Sequence, residues 1–394
     1  MNLNLLKQDV ISYLNQHERT QIHDFALKKS PFDNISSIEL AQQLFGRQIA
    51  KRKFPGLYNQ PEVLYPPKVN LEQSSSQATA NYKTNLIKEN EQVIDITGGF
   101  GIDCLSFCQK TEHITYCEKD PIVYDYAEHN FNALGLPINA YGSDGIAFLK
   151  NGDTMYDVIF IDPSRRDEHA KKVFRLEDCS PNVLKHMNLF RSKAKRAILK
   201  LSPLVDINYC LTHISNLSEI HIVTLKNEVK ELLLVLDFQQ EMSDQCIHVV
   251  NLDTDQDAVQ FSTEACQLQQ KFSAVKAYLY EPHPGLMKSG AYGWLCQHYN
   301  LTAIAQHSHL FTSDEVVDFP GRHFEVIEVL SPNKKQILKA INGKKANVSC
   351  RNYPLKPEQV KKKYGMIDGG NLYVFFTTSF ENQKIVIVCK KINA

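Results

Sequence analysis

Apolar positions in the first sixty residues recur at helical spacing. Leu3, Leu6, Val10 and Leu14 form one run and Ile35, Ile38, Leu40, Ala41 and Leu44 another, with Ser36 or Ser37 placed to cap the second. Pro55, Pro61, Pro66 and Pro67 end this helical stretch. After the serine run Ser74–Ser76 a helix is expected from about Gln77. From residue 93 the pattern changes. Short apolar runs at Val93–Ile96, His113–Cys117, Ile138–Tyr141, Asp157–Ile161 and Ala197–Leu201 read as buried strands separated by helices. Glu219–Leu225 and Glu231–Phe238 follow with only a short turn between them and read as an antiparallel hairpin. This alternation predicts an α/β fold: a mostly parallel sheet with helices on both faces.

Residues 240–270 are polar and poorly periodic, and read as a linker plus a helix. A small α/β unit is expected near 275–330, with strands at Ala277–Tyr280 and Phe324–Val329 around the turn Glu281-Pro-His-Pro-Gly285. The remainder has apolar runs at Ile337–Ile341 and Ala346–Arg351, a lysine-rich helix at Pro357–Lys363, and strands at Leu372–Thr377 and Ile385–Cys389. The expected organisation is a helical domain over 1–70, an α/β domain over 71–240, and small α+β domains over 265–330 and 331–394.

Composition narrows this picture. A chain of 394 residues is long for a single core, so two or three domains are expected. Lys plus Arg and Asp plus Glu both number 44, so any attraction to nucleic acid or membrane must come from local patches. No apolar run is long enough to cross a bilayer, and Met1–Lys7 lacks the layout of a secretory signal, so no membrane association is expected. The ten cysteines are scattered, without a CxxC pair or zinc-finger spacing. They read as reduced core thiols, which predicts a cytoplasmic protein with no metal site.

In an open α/β sheet, ligands bind beyond the carboxyl ends of the strands. That edge here collects a constellation. Asp95 and Thr97-Gly-Gly-Phe-Gly101 end the first strand, Glu118 the second, and Asp162-Pro-Ser-Arg165 the fourth, while Asp144 follows the third. The glycines let the main chain approach a ligand. Glu118 is placed to accept from two ribose hydroxyls, and Asp144 from an exocyclic adenine amine. Lys83, just before the first strand, could meet a carboxylate. Taken singly, each acid also fits a helix cap or a solvated turn. NAD and S-adenosylmethionine sites share this geometry. Three features favour the second: an acid two residues before a turn that is not Gly-x-Gly-x-x-Gly, a cationic ligand without pyrophosphate, and the closing hairpin.

Over roughly residues 71–240 the sequence resembles the class I S-adenosylmethionine-dependent methyltransferases. Val93–Gly101 is similar to their glycine motif, Cys117-Glu-Lys-Asp120 to their ribose-binding acidic motif, and Ser143-Asp-Gly145 to their adenine-side motif. Ile161-Asp-Pro-Ser-Arg165 is similar to the Asp-Pro-Pro-aromatic motif of amino-methylating enzymes. More narrowly, Gln73-Ser-Ser-Ser, Thr79-Ala-Asn-Tyr-Lys83 and the glycine turn resemble a group of candidate bacterial methyltransferases with a THUMP-like C-terminal domain. Cys350-Arg-Asn-Tyr-Pro-Leu355 and Asp368-Gly-Gly370 are similar to that domain. The resemblance implies a Rossmann-like seven-stranded sheet and S-adenosyl-L-methionine as cofactor. It implies cofactor contacts from Lys83, Asp95, Thr97, Gly98, Gly99, Phe100, Gly101, Glu118, Lys119, Asp144 and Gly145, and a catalytic motif of Asp162, Pro163, Ser164 and Arg165. THUMP domains bind RNA, so it also implies an RNA substrate, tRNA or rRNA, methylated on a base amine.

In the amino-methylating pattern an acid side chain and a main-chain carbonyl accept from the target amine. Asp162 and the Pro163 carbonyl retain that capacity. Ser164 replaces a proline, and Arg165 stands where an aromatic ring usually stacks on the base, so a guanidinium would have to stack there or grip a phosphate. Ser202-Pro203 offers no cysteine nucleophile, which argues against C5-pyrimidine methylation. Two basic stretches fit nucleic acid. One comprises Arg165, Arg166, Lys171, Lys172, Arg175, Lys185, Arg191, Lys193, Lys195, Arg196 and Lys200, and the other runs from Lys334 to Lys363. Tyr353, Tyr364 and Tyr373 suit base stacking or packing. The competing functions are a cofactor-binding module without turnover and a nucleotide-dependent oxidoreductase.

Overall fold

The computed structural model describes residues 1–165, 176–240 and 245–392. The chain forms two compact units, Met1–Ile220 with Lys230–Ser243, and His221–Val229 with Asp244–Ala394.

The first unit is built on an open sheet of β1 (Val93–Asp95), β2 (Ile114–Cys117), β3 (Ile138–Tyr141), β4 (Tyr156–Ile161), β5 (Ala194–Leu201), β6 (Leu217–Leu225, of which Leu217–Ile220 lies in this unit) and β7 (Glu228–Asp237). The order across it is β3-β2-β1-β4-β5-β7-β6. The ladder from β3 to β5 is parallel, with Ile94 seated between Thr115 and Ile159, and β7 runs antiparallel to β5. β1 is buried at all three positions, as expected of a strand covered on both faces. The chain leaves β1 toward β2 on one side and returns to β4 on the other. The glycine turn after β1 therefore stands at the point where the winding reverses, and such crevices bind ligands.

Side-chain caps start the helices along the binding edge. Ser76 accepts from Thr79 N–H before Gln77–Lys83, Asp120 from Ile122 N–H before Pro121–Ala133, and Asp144 from Ala147 N–H before Gly145–Asn151. In the N-terminal region Ser36 and Glu39 form a reciprocal capping box at the start of Ser37–Lys53. That helix packs on the binding edge. Ala50 and Phe54 share a buried cluster with Tyr65, Phe100 and Ile102, so the glycine turn is supported from beneath by aromatic rings. Leu40, Leu44 and Leu64 pack against Tyr126 of Pro121–Ala133, and Asn130 both donates to and accepts from the Leu64 backbone at 2.9 Å.

The second unit contains the antiparallel pair β8 (Cys246–Leu252) and β9 (Val259–Ser262). This corrects the expected linker and helix over 240–270. Ile247 and Val249 on one strand and Val259 and Phe261 on the other are buried with a period of two, and Val250 and Asn251 are buried as well. Only the short 3₁₀ turn Thr263–Gln267 is helical among the described residues of that stretch. One seven-stranded sheet then runs through residues 278–392. Its strands are β10 (Tyr278–Pro282), β11 (Thr302–Ala303), β12 (Phe311–Ser313), β13 (Gly321–Leu330), β14 (Asn347–Cys350), β15 (Leu372–Thr378) and β16 (Lys384–Ile392), in the order β11-β12-β10-β13-β16-β15-β14. Leu279, Phe324, Phe375 and Ile387 form one buried cluster of this unit. Ile337, Val360, Tyr364, Val374 and Val388 form another, with helices Lys334–Ala340 and Pro357–Tyr364 over it. Among the described residues no helix is long and apolar enough to cross a membrane.

Candidate active site

A cleft of about 1090 Å³ opens at the carboxyl edge of the first unit's sheet. Its walls come from the turn after β1, the ends of β2, β4 and β5, the start of the helix after β3, the first residues of β7, and Asn70 and Gln73–Ser75.

The glycine turn is tied down at almost every amide. Thr97 N–H donates to Asp95 Oδ1 at 2.9 Å, Gly98 N–H to Cys117 O at 2.9 Å, Gly99 N–H to Glu118 Oε2 at 2.8 Å, and Gly101 N–H to Gly98 O at 2.9 Å. The Thr97 hydroxyl donates to Asp95 Oδ1 and accepts from Asp162 N–H at 2.7 Å, so one side chain joins the ends of β1 and β4. Gly98 has no alternative, because a Cβ there would lie 2.1 Å from the Tyr116 ring. Gly101 adopts φ +80°, which favours glycine, and opens the helix Ile102–Phe107. Phe100 lines the cleft, but its ring is buried beside Phe54 and Tyr65 and acts as a footing for the turn.

Glu118 accepts from Gly99 N–H on one oxygen and from Asp120 N–H at 2.7 Å on the other. This orients the carboxylate and leaves further lone pairs on both oxygens. Asp144 caps its helix through Oδ1, so here the cap reading holds, and the residue also lines the cleft. Gly145 lies so close to β1 that a Cβ would meet Ile96 O at 2.3 Å. Lys119 lies on the cleft wall. Asp95 is fully buried. Burial, reinforced by the nearby Asp103 and Asp162 carboxylates and opposed by the Thr97 hydrogen bonds, pushes its carboxyl up to about 7.

Lys83 is placed differently from the sequence expectation. It is absent from the cleft wall and has no solvent exposure. Its ammonium lies 3.0 Å from Asp103 Oδ1, 2.7 Å from Glu231 Oε1 and 3.0 Å from Ser75 Oγ. The carboxylates it meets are the protein's own, because helix Gln77–Lys83 packs its last turn against Ile102–Phe107 rather than over the opening. Asp103 and Glu231 face the cleft from the other side. Burial opposes ionisation of both. The Lys83 charge prevails at Asp103, which ends below the ordinary carboxylate range, whereas burial prevails at Glu231, which ends above it.

Asp162 and Pro163 line the cleft, and Asp162 Oδ2 is ion-paired with Lys200 at the end of β5. Burial pulls the Lys200 ammonium down, but Asp162, Asp103 and Glu231 together hold it above its ordinary value. Ser164 and Arg165 continue into a two-residue antiparallel ribbon with Cys179–Ser180. The Arg165 side chain lies outside the described residues, as do Arg166, Lys171, Lys172 and Arg175.

Sequence reasoning missed Lys200, Asp103 and Glu231 as parts of this site. Two signals were present. Lys200 interrupts the apolar run Ala197-Ile-Leu-Lys-Leu201, and Glu231 immediately precedes Leu232–Leu236, which is wholly buried. A charge on a buried strand needs a partner. Much of the first basic stretch has structural partners: Lys195 pairs with Asp157, Arg196 with Glu91, and Arg191 with Asn216. In the second unit Lys361 pairs with Asp368. Tyr364 is buried, Tyr353 packs on Phe376 and Tyr373 on Phe324, so the packing reading holds for all three.

The strand order is that of the methyltransferase architecture, and a solved structure matches the chain from end to end. A protein of Porphyromonas gingivalis W83, described as a candidate methyltransferase, is 26% identical over 100% of both chains with a TM-score of 0.88. The chain has the class I methyltransferase fold. Family models extend the methyltransferase comparison into the C-terminal half: residues 278–320 match a ferredoxin-like domain and residues 321–391 a THUMP-like domain. A class I S-adenosylmethionine-dependent methyltransferase of Listeria monocytogenes, also a candidate assignment, is 13% identical over 62% of this chain and 94% of that one, with a TM-score of 0.37. No curated protein sequence matches the chain. Asp95, Glu118, Asp144 and Asp162 line the cleft at the carboxyl edge of the first unit's sheet, where open α/β sheets bind ligands.

Proposed function

We propose that the protein transfers a methyl group from S-adenosylmethionine to RNA, tRNA or rRNA. The observation that carries the cofactor is the hydrogen-bonding character of the glycine turn. A pyrophosphate needs free N–H groups, but the amides of Thr97, Gly98, Gly99 and Gly101 are all committed to protein oxygens. What the cleft offers is acceptors. Glu118 suits the ribose hydroxyls, Asp144 the adenine amine, and Asp95 the cationic amino-acid end. This set suits S-adenosylmethionine, a cation without phosphate, whereas NAD would have to rest its pyrophosphate on the start of the helix Ile102–Phe107 alone. When bound, S-adenosylmethionine supplies a methyl group activated by a sulfonium. The protein's share is to hold the acceptor against Asp162 and Pro163 and to exclude water.

RNA as substrate rests on the likeness of residues 321–391 to a THUMP domain. The sequence reading chose a base amine, with Asp162 and the Pro163 carbonyl accepting from its two N–H groups. The Lys200 ion pair bears directly on that choice. The ten free cysteines, four of them only partly buried, suit a reducing compartment such as the cytoplasm.

Calorimetry with S-adenosylmethionine and with NAD separates the cofactors, and labelled methyl transfer to RNA from cells deleted for the gene tests the activity. Binding of S-adenosylmethionine with transfer that disappears in Asp162→Ala is expected. Tight NAD binding, or full transfer by Asp162→Ala, would refute the assignment. Cofactor binding without transfer to any RNA would point to a binding module instead.

A further inference from the structure

The transfer site contains more charge than holding a cofactor requires. Lys200 stands inside an apolar strand, its side chain is 11% exposed, and it ends on Asp162 Oδ2. Behind it Lys83 is enclosed and neutralised by Asp103 and Glu231. The outermost pair of this group, Lys200 and Asp162, is the one on the wall where an acceptor would enter. Asp162 is more open than Lys200, with 38% of its side chain exposed.

A fixed cation at this point has opposite effects on the two kinds of acceptor that RNA presents. An amine nitrogen becomes more positive as it takes a methyl group, and a neighbouring ammonium opposes that change. A hydroxyl oxygen gives up its proton and gains negative character, and the same ammonium favours it. The hydrogen-bond count by itself fits either group: Asp162 Oδ1 with the Pro163 carbonyl would serve an amine, and Oδ1 alone a hydroxyl. A planar amine needs two acceptors, whereas a hydroxyl needs one. With Oδ2 bound to Lys200, Asp162 retains Oδ1 for one donor.

We infer that the group methylated is a hydroxyl of the RNA, the ribose 2′-hydroxyl, with Asp162 accepting its proton and Lys200 positioning that carboxylate. The inference rests on the methyl-transfer reading above. In the balanced step the oxygen–methyl bond forms as the methyl–sulfur bond breaks, and the bonding pair returns to sulfur. The hydroxyl proton passes to Asp162 Oδ1. The products are a methyl ether, a neutral thioether and a protonated carboxyl that later loses its proton to water. The ribose 2′-hydroxyl is also the group that distinguishes RNA from DNA at every nucleotide.

The test is the chemical stability of the product. RNA from deletion cells is labelled by the purified full-length protein with methyl-labelled S-adenosylmethionine and hydrolysed in alkali. A 2′-O-methyl group blocks cleavage of its own phosphodiester, so label in alkali-stable dinucleotides is expected. Label in alkali-labile nucleotides carrying an N-methyl base would overturn this inference and leave RNA methyl transfer standing. Absence of label from RNA, with cofactor bound in calorimetry, would overturn the methyl-transfer reading and this inference with it. A second measurement isolates Lys200. In Lys200→Met, S-adenosylhomocysteine binding measured by calorimetry should stay within about threefold of wild type while kcat falls at least about a hundredfold. Lys200→Arg should restore part of kcat with KM little changed. Transfer within threefold of wild type by Lys200→Met would refute the role.

Discussion

Lys83 Nζ lies 2.7 Å from Glu231 Oε1, and no part of the lysine reaches solvent. The pair joins the helix before β1 to β7, elements separated by most of the first unit's sequence. With Asp103 as second acid it forms a buried bridge under the cleft floor. Breaking such a bridge from one side costs more than removing it whole, because the remaining charges lose their counterion in a low-dielectric setting. Lys83→Met should therefore destabilise the protein by about 3–5 kcal/mol. Combining it with Asp103→Asn and Glu231→Gln should recover at least half of that loss. Urea unfolding measures both; an unchanged midpoint in Lys83→Met would show that the bridge carries no weight.

The glycine positions make a comparative prediction. At Gly98 a Cβ collides with the Tyr116 ring, whereas at Gly145 it collides with the Ile96 carbonyl, which belongs to the backbone of the turn. Gly98→Ala should weaken S-adenosylmethionine binding at least about tenfold, a loss of about 1.4 kcal/mol, and Tyr116→Leu should restore part of it. Gly145→Ala should be at least as damaging and should find no such rescue. Calorimetric dissociation constants for the three proteins decide this.

Asp95 predicts a pH dependence with a definite sign. Its carboxyl titrates near 7 in the folded protein against an ordinary 3.8. Below that ordinary value both folded and unfolded chains hold the proton. Between the two values only the unfolded chain has lost it, so stability falls as pH rises through this window and levels off above about 7. Asp95→Asn should flatten this part of the profile, as read by urea midpoints from about pH 5 to about pH 8. A cationic cofactor favours the ionised acid, so its affinity should strengthen with rising pH across the same range in wild type and not in Asp95→Asn.

In the second unit Glu281 is 3% exposed and accepts from both Arg322 and Arg351. Glu281→Gln leaves two guanidinium groups facing a neutral amide. Because both arginines are more than a third exposed, solvent screens part of the loss. A decrease of about 2 kcal/mol is expected, measured by thermal unfolding, and Arg322→Ala should lose less than Glu281→Gln.

The elements with strong periodicity were legible in the sequence. The start of the helix at Gln77, the strands β1 to β5 and the constellation of Asp95, Glu118, Asp144 and Asp162 at one edge followed from apolar runs and the strand-end rule. What escaped was set by pairing rather than periodicity. β8 and β9 are short and flanked by the polar stretches 239–245 and 253–257, which diluted their alternation into apparent linker. Lys83 was legible as a charge near the turn, but its partner Glu231 lies about 150 positions away, and only folding brings the two together. Lys200 looked like one more member of a basic stretch because a sequence does not display which lysines are enclosed.

The two C-terminal family matches meet between residues 320 and 321, yet the structure is continuous across that point. β10 lies in the first match and β13 in the second, and they are hydrogen-bonded neighbours from Tyr278 opposite Glu325 to Pro282 opposite Gly321. Glu281 of the first match is neutralised by arginines of the second. A chain cut at that junction would carry an uncovered strand edge and a stranded carboxylate, the makings of an aggregate rather than a free-standing module. The two stretches are therefore halves of one object, and would be gained, lost or transplanted together.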